Sequence, residues 1–301
     1  MIVTEPWSTS KLPAPLLKKI LERREFLRHS LDAESQKLVG EDGYKAPNEQ
    51  VLEDAIVSMA LGKNVLLKGP TGSGKTRLAE TLSYLFGQPV HAVNCSVDLD
   101  AEGLIGFKTL EVEQGQSVVK FIQGPIIKAM TQGQWLYIDE VNMAKPETLP
   151  LINGVLDHRR TITNPFTGEV IRAKEGFGVI AAVNIGYVGT VPMNEALKNR
   201  FVVIDVPYLQ GDQLFELLKE RSLLTEDDAL RRFVKLSAEL QEQIRSGQLS
   251  DEAASVRALL DACDMAAYIP PLRAIRRAIA DKLDDEREQV LVMNLAETYF
   301  G

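Results

Sequence analysis

A chain of 301 residues, 45% hydrophobic and 25% charged, is long enough for one large α/β domain and a smaller one, each with a buried core. Its net charge of −8 and pI near 5.2 argue against wholesale binding to nucleic acid, which goes with a basic balance, and leave room only for a local basic patch. Two cysteines exclude a disulfide framework, three scattered histidines give no metal signature, and no apolar run approaches a membrane span or a signal-peptide core, so a cytoplasmic protein is expected.

Residues 1–45 read as a helical leader. Lys18-Lys19-Ile20-Leu21-Glu22-Arg23-Arg24 lies in an amphipathic helix on which Leu17, Ile20, Leu21 and Leu31 loosely share a face. Its basic cluster suits the solvated side of a docked helix, and also contact with a membrane or an acidic partner. Asn48 is placed to cap the next helix, Glu49 through Met59.

Five short apolar runs follow: Val65–Leu67, Val90–Asn94, Trp135–Asp139, Val179–Asn184 and Phe201–Asp205. Continuous apolar runs of this length, separated by helical patterns, predict a parallel sheet covered on both faces. Two hairpin-like insertions interrupt the rhythm. One spans Leu110–Gln123 and turns at Gln114-Gly115-Gln116; the other spans Thr161–Ile171 and turns around Asn164-Pro165 and Thr167-Gly168.

The first run leads into Gly69-Pro70-Thr71-Gly72-Ser73-Gly74-Lys75-Thr76, a G-x-x-x-x-G-K-T phosphate-binding loop, and then into a helical pattern from Arg77 to Leu82. Strand, glycine loop, helix is the order this motif needs. Its backbone N–H groups converge on nucleotide phosphates, and its glycines let the backbone approach closely. Lys75 is placed to neutralise the β- and γ-phosphates and Thr76 to set its hydroxyl on Mg²⁺, with Arg77 beside them at the start of the helix.

Cys95 falls in a strand-like run and Cys263 in a helical one, which reads as two buried thiols. The third run ends in Asp139-Glu140. Carboxylates at the C-terminal end of a parallel strand sit where open α/β sheets bind ligands. Asp139 is placed to hold Mg²⁺ directly or through its waters, and Glu140 to polarise an attacking water. Asn184 ends the fourth run, which should lie next to the other two phosphate-facing strands, so its amide is read as orienting that water rather than only forming a turn before Ile185-Gly186. Arg200 precedes the fifth run, as a surface charge or as a guanidinium that reaches a neighbour's nucleotide in a ring of subunits.

After Pro207 the pattern becomes helical. Leu214, Leu217 and Leu218 fall in one segment; Leu230, Phe233, Val234, Leu240 and Ile244 recur at helical spacing in the next, which Gly247 stops. Ser250-Asp251 can start another helix, and Pro270-Pro271 breaks the chain before a last pair. Arg273 opens a helix after the prolines and is a candidate for the γ-phosphate, with Arg276 and Arg277 competing. The expected organisation is therefore a leader at 1–45, an α/β nucleotide-binding domain at 46–207 and an all-α lid at 208–301.

These motifs, in this order and spacing, resemble the AAA+ ATPases over about residues 45–300. The resemblance makes 69–76 the Walker A loop, Asp139-Glu140 Walker B, Asn184 sensor 1, Arg200 the arginine finger and Arg273 sensor 2. Within that family the chain looks most like the MoxR branch and its CbbQ/NorQ group. The stretch Asp100-Ala101-Glu102-Gly103-Leu104-Ile105-Gly106 leading into the first hairpin looks like that branch's insertion in the second helix. Phe121-Ile122-Gln123-Gly124-Pro125-Ile126 resembles the return from it, and the second hairpin with Phe177–Asn184 resembles the hairpin and strand before sensor 1. The double proline before Arg273 departs from the usual Ser-Pro-Arg or Ser-Thr-Arg.

What the resemblance implies is a P-loop NTPase with a five-stranded parallel sheet, two hairpin insertions and an α-helical lid. It further implies ATP and Mg²⁺ as cofactors, a hexameric ring with ATP at each subunit interface, hairpins facing a pore or client, and a partner with a von Willebrand factor A (VWA) domain. Members of the branch remodel, activate or load cofactors into client enzymes. Two other readings stay open: an adaptor that ATP assembles without significant turnover, and a GTP- or DNA-linked motor subunit like those of certain restriction systems.

Overall fold

The computed structural model describes residues 12–95, 99–113, 116–185 and 193–301. The first hairpin's expected turn at Gln114-Gly115 lies outside them.

Three helices precede the sheet: α1 (Ala14–Ser30), α2 (Ala33–Gln36) and α3 (Glu49–Ala60). Asn48 caps α3 as its sequence predicts, its Oδ1 accepting from Val51 N at 3.0 Å. The expected face of α1 shifts: Ile20 and Leu27 are its buried residues, while Leu21 is exposed. Ile20 packs with residues of α3 and of α4 (Lys75–Phe86), so the leader is docked on the sheet's helical cover. Beyond α2 it follows α4: Gly40 N donates to Ser83 Oγ at 2.8 Å and Tyr44 N to Thr81 Oγ1 at 3.0 Å.

The sheet strands are β1 (Val65–Gly69), β2 (Val90–Asn94), β5 (Trp135–Asp139), β8 (Gly178–Asn184) and β9 (Val202–Asp205). They run parallel in the order β2-β5-β8-β1-β9. Alternate residues face opposite sides, as the two-residue period of a strand requires. Val65, Leu67, Tyr137, Ile180 and Ala182 pack beneath α1, α3 and α4. Leu66, Leu136, Ile138, Val179 and Ala181 pack beneath α6 (Pro125–Gln132) and α7 (Leu149–Leu156). Burial on both faces is why these strands read as continuous apolar runs.

Helix α5 (Ala101–Ile105) runs directly into the first hairpin, β3 (Gly106–Glu113) and β4 (Gln116–Gln123). The hairpin therefore begins four residues before the expected Leu110, because the pairs Phe107↔Ile122 and Lys108↔Phe121 extend its ladder to its base. The second hairpin pairs β6 (Thr161–Thr163) with β7 (Val170–Arg172). Its turn is closed by Gly168 N donating to Asn164 O at 2.8 Å.

After a short helix α8 (Glu195–Lys198) and β9, the remainder is helical: α9 (Gly211–Arg221), α10 (Asp227–Arg245), α11 (Val256–Ala266), α12 (Pro271–Ala278) and α13 (Glu286–Phe300). Its core runs from Leu209 to Ala296 as a cluster of its own. Ser250-Asp251 starts a 3₁₀ turn at Asp251–Ala254, and α11 begins only after Ser255. Among the described residues no helix is long and apolar enough to cross a membrane.

Candidate nucleotide site

The C-terminal ends of β1, β5 and β8 meet at one cavity of about 620 Å³. Its floor is the glycine loop, Thr71 through Thr76, and the first residue after it, Arg77. A Cβ on Gly72, whose φ is +77°, would collide with the Ser255 hydroxyl, so the loop can pack this tightly against the helical part only as glycine. Gly69 and Pro70 lie beneath, and their carbonyls accept from Lys75 Nζ at 2.9 and 2.7 Å. The Ser73 hydroxyl is buried with no partner among the described residues.

Lys75 is buried, with 6% of the residue exposed. Burial depresses its pKa from 10.5 to about 8, against the opposing pull of Asp139, Glu140 and Asp251. Thr76 Oγ1 lies 3.1 Å from the Tyr137 hydroxyl of β5.

Asp139 ends β5 and accepts from Glu140 N at 3.0 Å. Glu140 is left-handed, with φ 51° and ψ 42°. A side chain in that conformation costs about 1–2 kcal/mol, and here the bend turns its carboxylate toward β8. Strand β8 lies between β1 and β5. Asn184 at its end donates from Nδ2 to Glu140 Oε1 at 3.0 Å. The sheet thus brings Lys75, Thr76, Asp139, Glu140 and Asn184 to one cavity.

The opposite wall is more apolar. Leu209, Leu217, Val256 and Leu260 come from the helical part, and Gly43, Tyr44 and Lys45 from the leader. The Tyr44 hydroxyl is buried without a partner among the described residues. Lys45, Lys75, Arg77, Arg221 and Arg257 bring five cations against Glu80, Asp139 and Glu140. In a chain of net charge −8, that local excess suits a polyanion with an apolar body. The cavity therefore fits a nucleotide, its phosphates on the glycine loop and its base on the apolar wall, with Thr76 and Asp139 available to a divalent cation.

Two arginines lie elsewhere. Arg273 does not line this cavity; it is exposed on α12, as are Arg276 and Arg277, and Arg277 donates to Asp281 Oδ2 at 2.7 Å. The helix that begins at the cavity mouth is α11 and not α12, so Arg273 stands away from the glycine loop in this structure. The first turn of α11 carries Arg257. A serine two residues before an arginine at a helix start, in Ser255-Val256-Arg257, is the local signal for it, and Pro270-Pro271 gives the start of α12 a signal of its own. Arg200 is half-buried, donates to Ala196 O and also lies off the cavity. Tyr44 carries no motif and is visible only once the leader is docked. Cys95 and Cys263 are both buried and free, and burial pushes each thiol up to about 12, so neither is reactive.

Residues 64–201, which span the glycine loop, the two acids and Asn184, match the model of the AAA domain of the dynein-related subfamily. The chain carries an AAA domain over these residues. The chain is 60% identical over 289 residues to the uncharacterized protein YojN of Bacillus subtilis, covering 96% of this chain and 94% of that one. It is 58% identical over 254 residues to an uncharacterized protein of Staphylococcus saprophyticus, covering 84% and 97% of the two chains. Among solved structures, a mutant of Thermotoga maritima RuvB is similar at 17% identity, with a TM-score of 0.48 over 82% of this chain and 75% of that one.

The placement of Arg257 is directly testable in this AAA protein. Arg257→Ala is expected to weaken ATP binding about tenfold, the loss of one charge-assisted contact, while Arg273→Ala leaves it unchanged. Fluorescent-nucleotide titration of the two variants checks this, and the reverse ranking would restore Arg273.

Proposed function

We propose that this AAA protein hydrolyses ATP with Mg²⁺ and uses the cycle to remodel or activate a client protein, as a hexameric ring of the MoxR type with a VWA-domain partner. The observation that carries the hydrolytic part is the hydrogen bond from Asn184 to Glu140, 3.0 Å long, at the mouth of the glycine loop. In this reading Lys75, Arg77 and the loop N–H groups hold the phosphates, and Thr76 and Asp139 hold Mg²⁺, which neutralises phosphate charge when bound. Glu140 accepts a proton from the attacking water, whose position Asn184 sets by fixing the carboxylate. Arg257 reaches the γ-phosphate from the helical part.

The position of Arg200 off its own cavity fits a role at a neighbour's site. Arg200→Ala subunits are expected to fold, bind ATP and lower phosphate release more than in proportion when mixed with wild-type subunits. A linear fall in the mixing series, or full activity of the pure variant, would remove Arg200 from the mechanism. Failure of the protein to assemble beyond a monomer at any nucleotide concentration would remove the ring.

The first hairpin supports the remodelling part. Leu110, Val112 and Val119 are 72%, 75% and 60% exposed on its tip half. Contiguous exposed apolar side chains on a projecting ribbon suit transient contact with another chain. The adaptor reading lacks a reason for the Glu140–Asn184 pair, which phosphate binding alone does not need.

A further inference from the structure

At the opposite end of the sheet, where β1, β5 and β8 begin, a second cavity of about 420 Å³ opens. Its walls come from α1, the end of α3, the end of α4 and the segment joining β7 to β8. The apolar part is aromatic: Trp135 packs on Phe86 with ring centroids 5.0 Å apart, and Phe177 lies alongside. Four cations line it, Lys19, Arg23, Lys63 and Arg160, against a single acid, Glu175.

Arg160 is the unusual member. It is one of two left-handed residues other than glycine among the described residues, with φ 45°. Its guanidinium donates to Phe177 O and, at 2.8 Å, to Gly62 O, and lies 5.5 Å from the Phe177 ring centroid. Both hydrogen-bond acceptors are neutral carbonyls. Burial lowers its pKa with no carboxylate opposing the shift, so the charge is held in place without a counter-ion among the described residues. Five N–H donors less two leave three directed elsewhere. Arg23 packs against Gly176, where a Cβ would collide with its guanidinium, and lies 5.4 Å from the Phe26 ring centroid. Lys63 is exposed at the rim.

We infer that this cavity is a second ligand site, for a small organic anion whose carboxylate or phosphate pairs with Arg160, Arg23 and Lys63 and whose flat apolar body lies on Phe177 and Trp135. The volume suits a compact metabolite rather than a protein segment, and the cation excess selects an acid. The site is separate from the nucleotide cavity, since the two share no residue. A ligand there would tie α1 to the segment that feeds β8, the strand ending in Asn184.

The probe is 8-anilinonaphthalene-1-sulfonate, an aromatic body with a fixed anion. The chain has two tryptophans, so Trp7→Phe in the full-length protein leaves Trp135 as the single donor for energy transfer to the dye. With MgADP saturating the nucleotide site, dye titration is expected to give saturable transfer from Trp135 at one site per chain. Lys63→Glu, at an exposed position, should weaken it at least about fivefold, while Leu110→Ser on the hairpin leaves it unchanged. Lys19→Glu provides a second reversal should Lys63→Glu fail to fold. The inference is overturned if no saturable transfer from Trp135 occurs, if MgADP displaces the dye, or if the charge reversals that fold bind it as the parent does. None of these outcomes depends on hydrolysis, so the proposed ATPase activity stands or falls separately.

Discussion

Glu140→Gln is expected to bind ATP as the wild type does and to lower turnover by about a hundredfold or more, the usual contribution of a positioned general base. The amide keeps the shape of the carboxylate, and its oxygen can still accept from Asn184 Nδ2, so the left-handed bend after β5 is preserved. What disappears is the negative charge that draws a proton from water. Lys75, Thr76 and the glycine loop are untouched, so a nucleotide-loaded protein should accumulate. Fluorescent-nucleotide affinity and single-turnover phosphate release measure the two halves. Wild-type release would show that Glu140 is not the base, whereas lost binding would show that its charge supports the loop instead. The loaded variant is also the form in which to isolate a client, because the cycle stalls before release.

Lys75→Ala is expected to lose ATP affinity by about a hundredfold, since two charge-assisted contacts contribute roughly 1.5–3 kcal/mol each and part of that is recovered by water. In the free protein Lys75 is turned back on Gly69 O and Pro70 O, so phosphate oxygens must replace those carbonyls. The residue also sets a pH dependence. Its pKa in the free protein is about 8, below the ordinary 10.5. Phosphate favours the ammonium, so the bound-state value lies higher and binding takes up a proton above pH 8. Affinity should therefore be flat below pH 8 and fall up to about tenfold per pH unit above it.

Stability follows the same sign. The unfolded chain holds this proton up to pH 10.5 and the folded chain only to about 8, so the Lys75 contribution to stability of the free protein rises between those values. Lys75→Ala should flatten both profiles. Isothermal titration at pH 7, 8 and 9 reads the first and thermal melts over pH 8–10.5 the second. A pH-independent affinity in the wild type would show that the ammonium is not recruited to phosphate.

Most of the sheet was legible because each strand is buried on both faces and so carries its signal in consecutive residues. The acids and the amide were legible because a parallel strand ends at the ligand edge, which gives Asp139, Glu140 and Asn184 a place from strand direction alone. Which lid arginine lines the cavity was not. Lid helices α11 and α12 both begin beyond the sheet with an arginine in the first turns, Arg257 and Arg273, and nothing local says which helix points its start at the loop. The buried face of the leader helix was only partly legible for the same kind of reason. Only Ile20 and Leu27 of α1 are buried, a weak stripe whose partners lie on α3 and α4.

The sequence by itself determined that this protein has a parallel sheet with a phosphate-binding loop, two acids at one strand end, an amide at another and a helical C-terminal part. Those features depend on local geometry: the two-residue period of strands, the backbone freedom of glycine, and the direction in which a strand delivers its last residue. Only the tertiary structure decided that β8 lies between β1 and β5 so that Asn184 meets Glu140, that Arg257 rather than Arg273 faces the loop, and that Tyr44 of the leader completes the apolar wall. It also gathered Lys19, Lys63, Trp135 and Arg160, far apart in the chain, around one cavity at the other end of the sheet. These are contacts between elements distant in sequence. They follow from how apolar faces pack, which no short stretch of residues encodes.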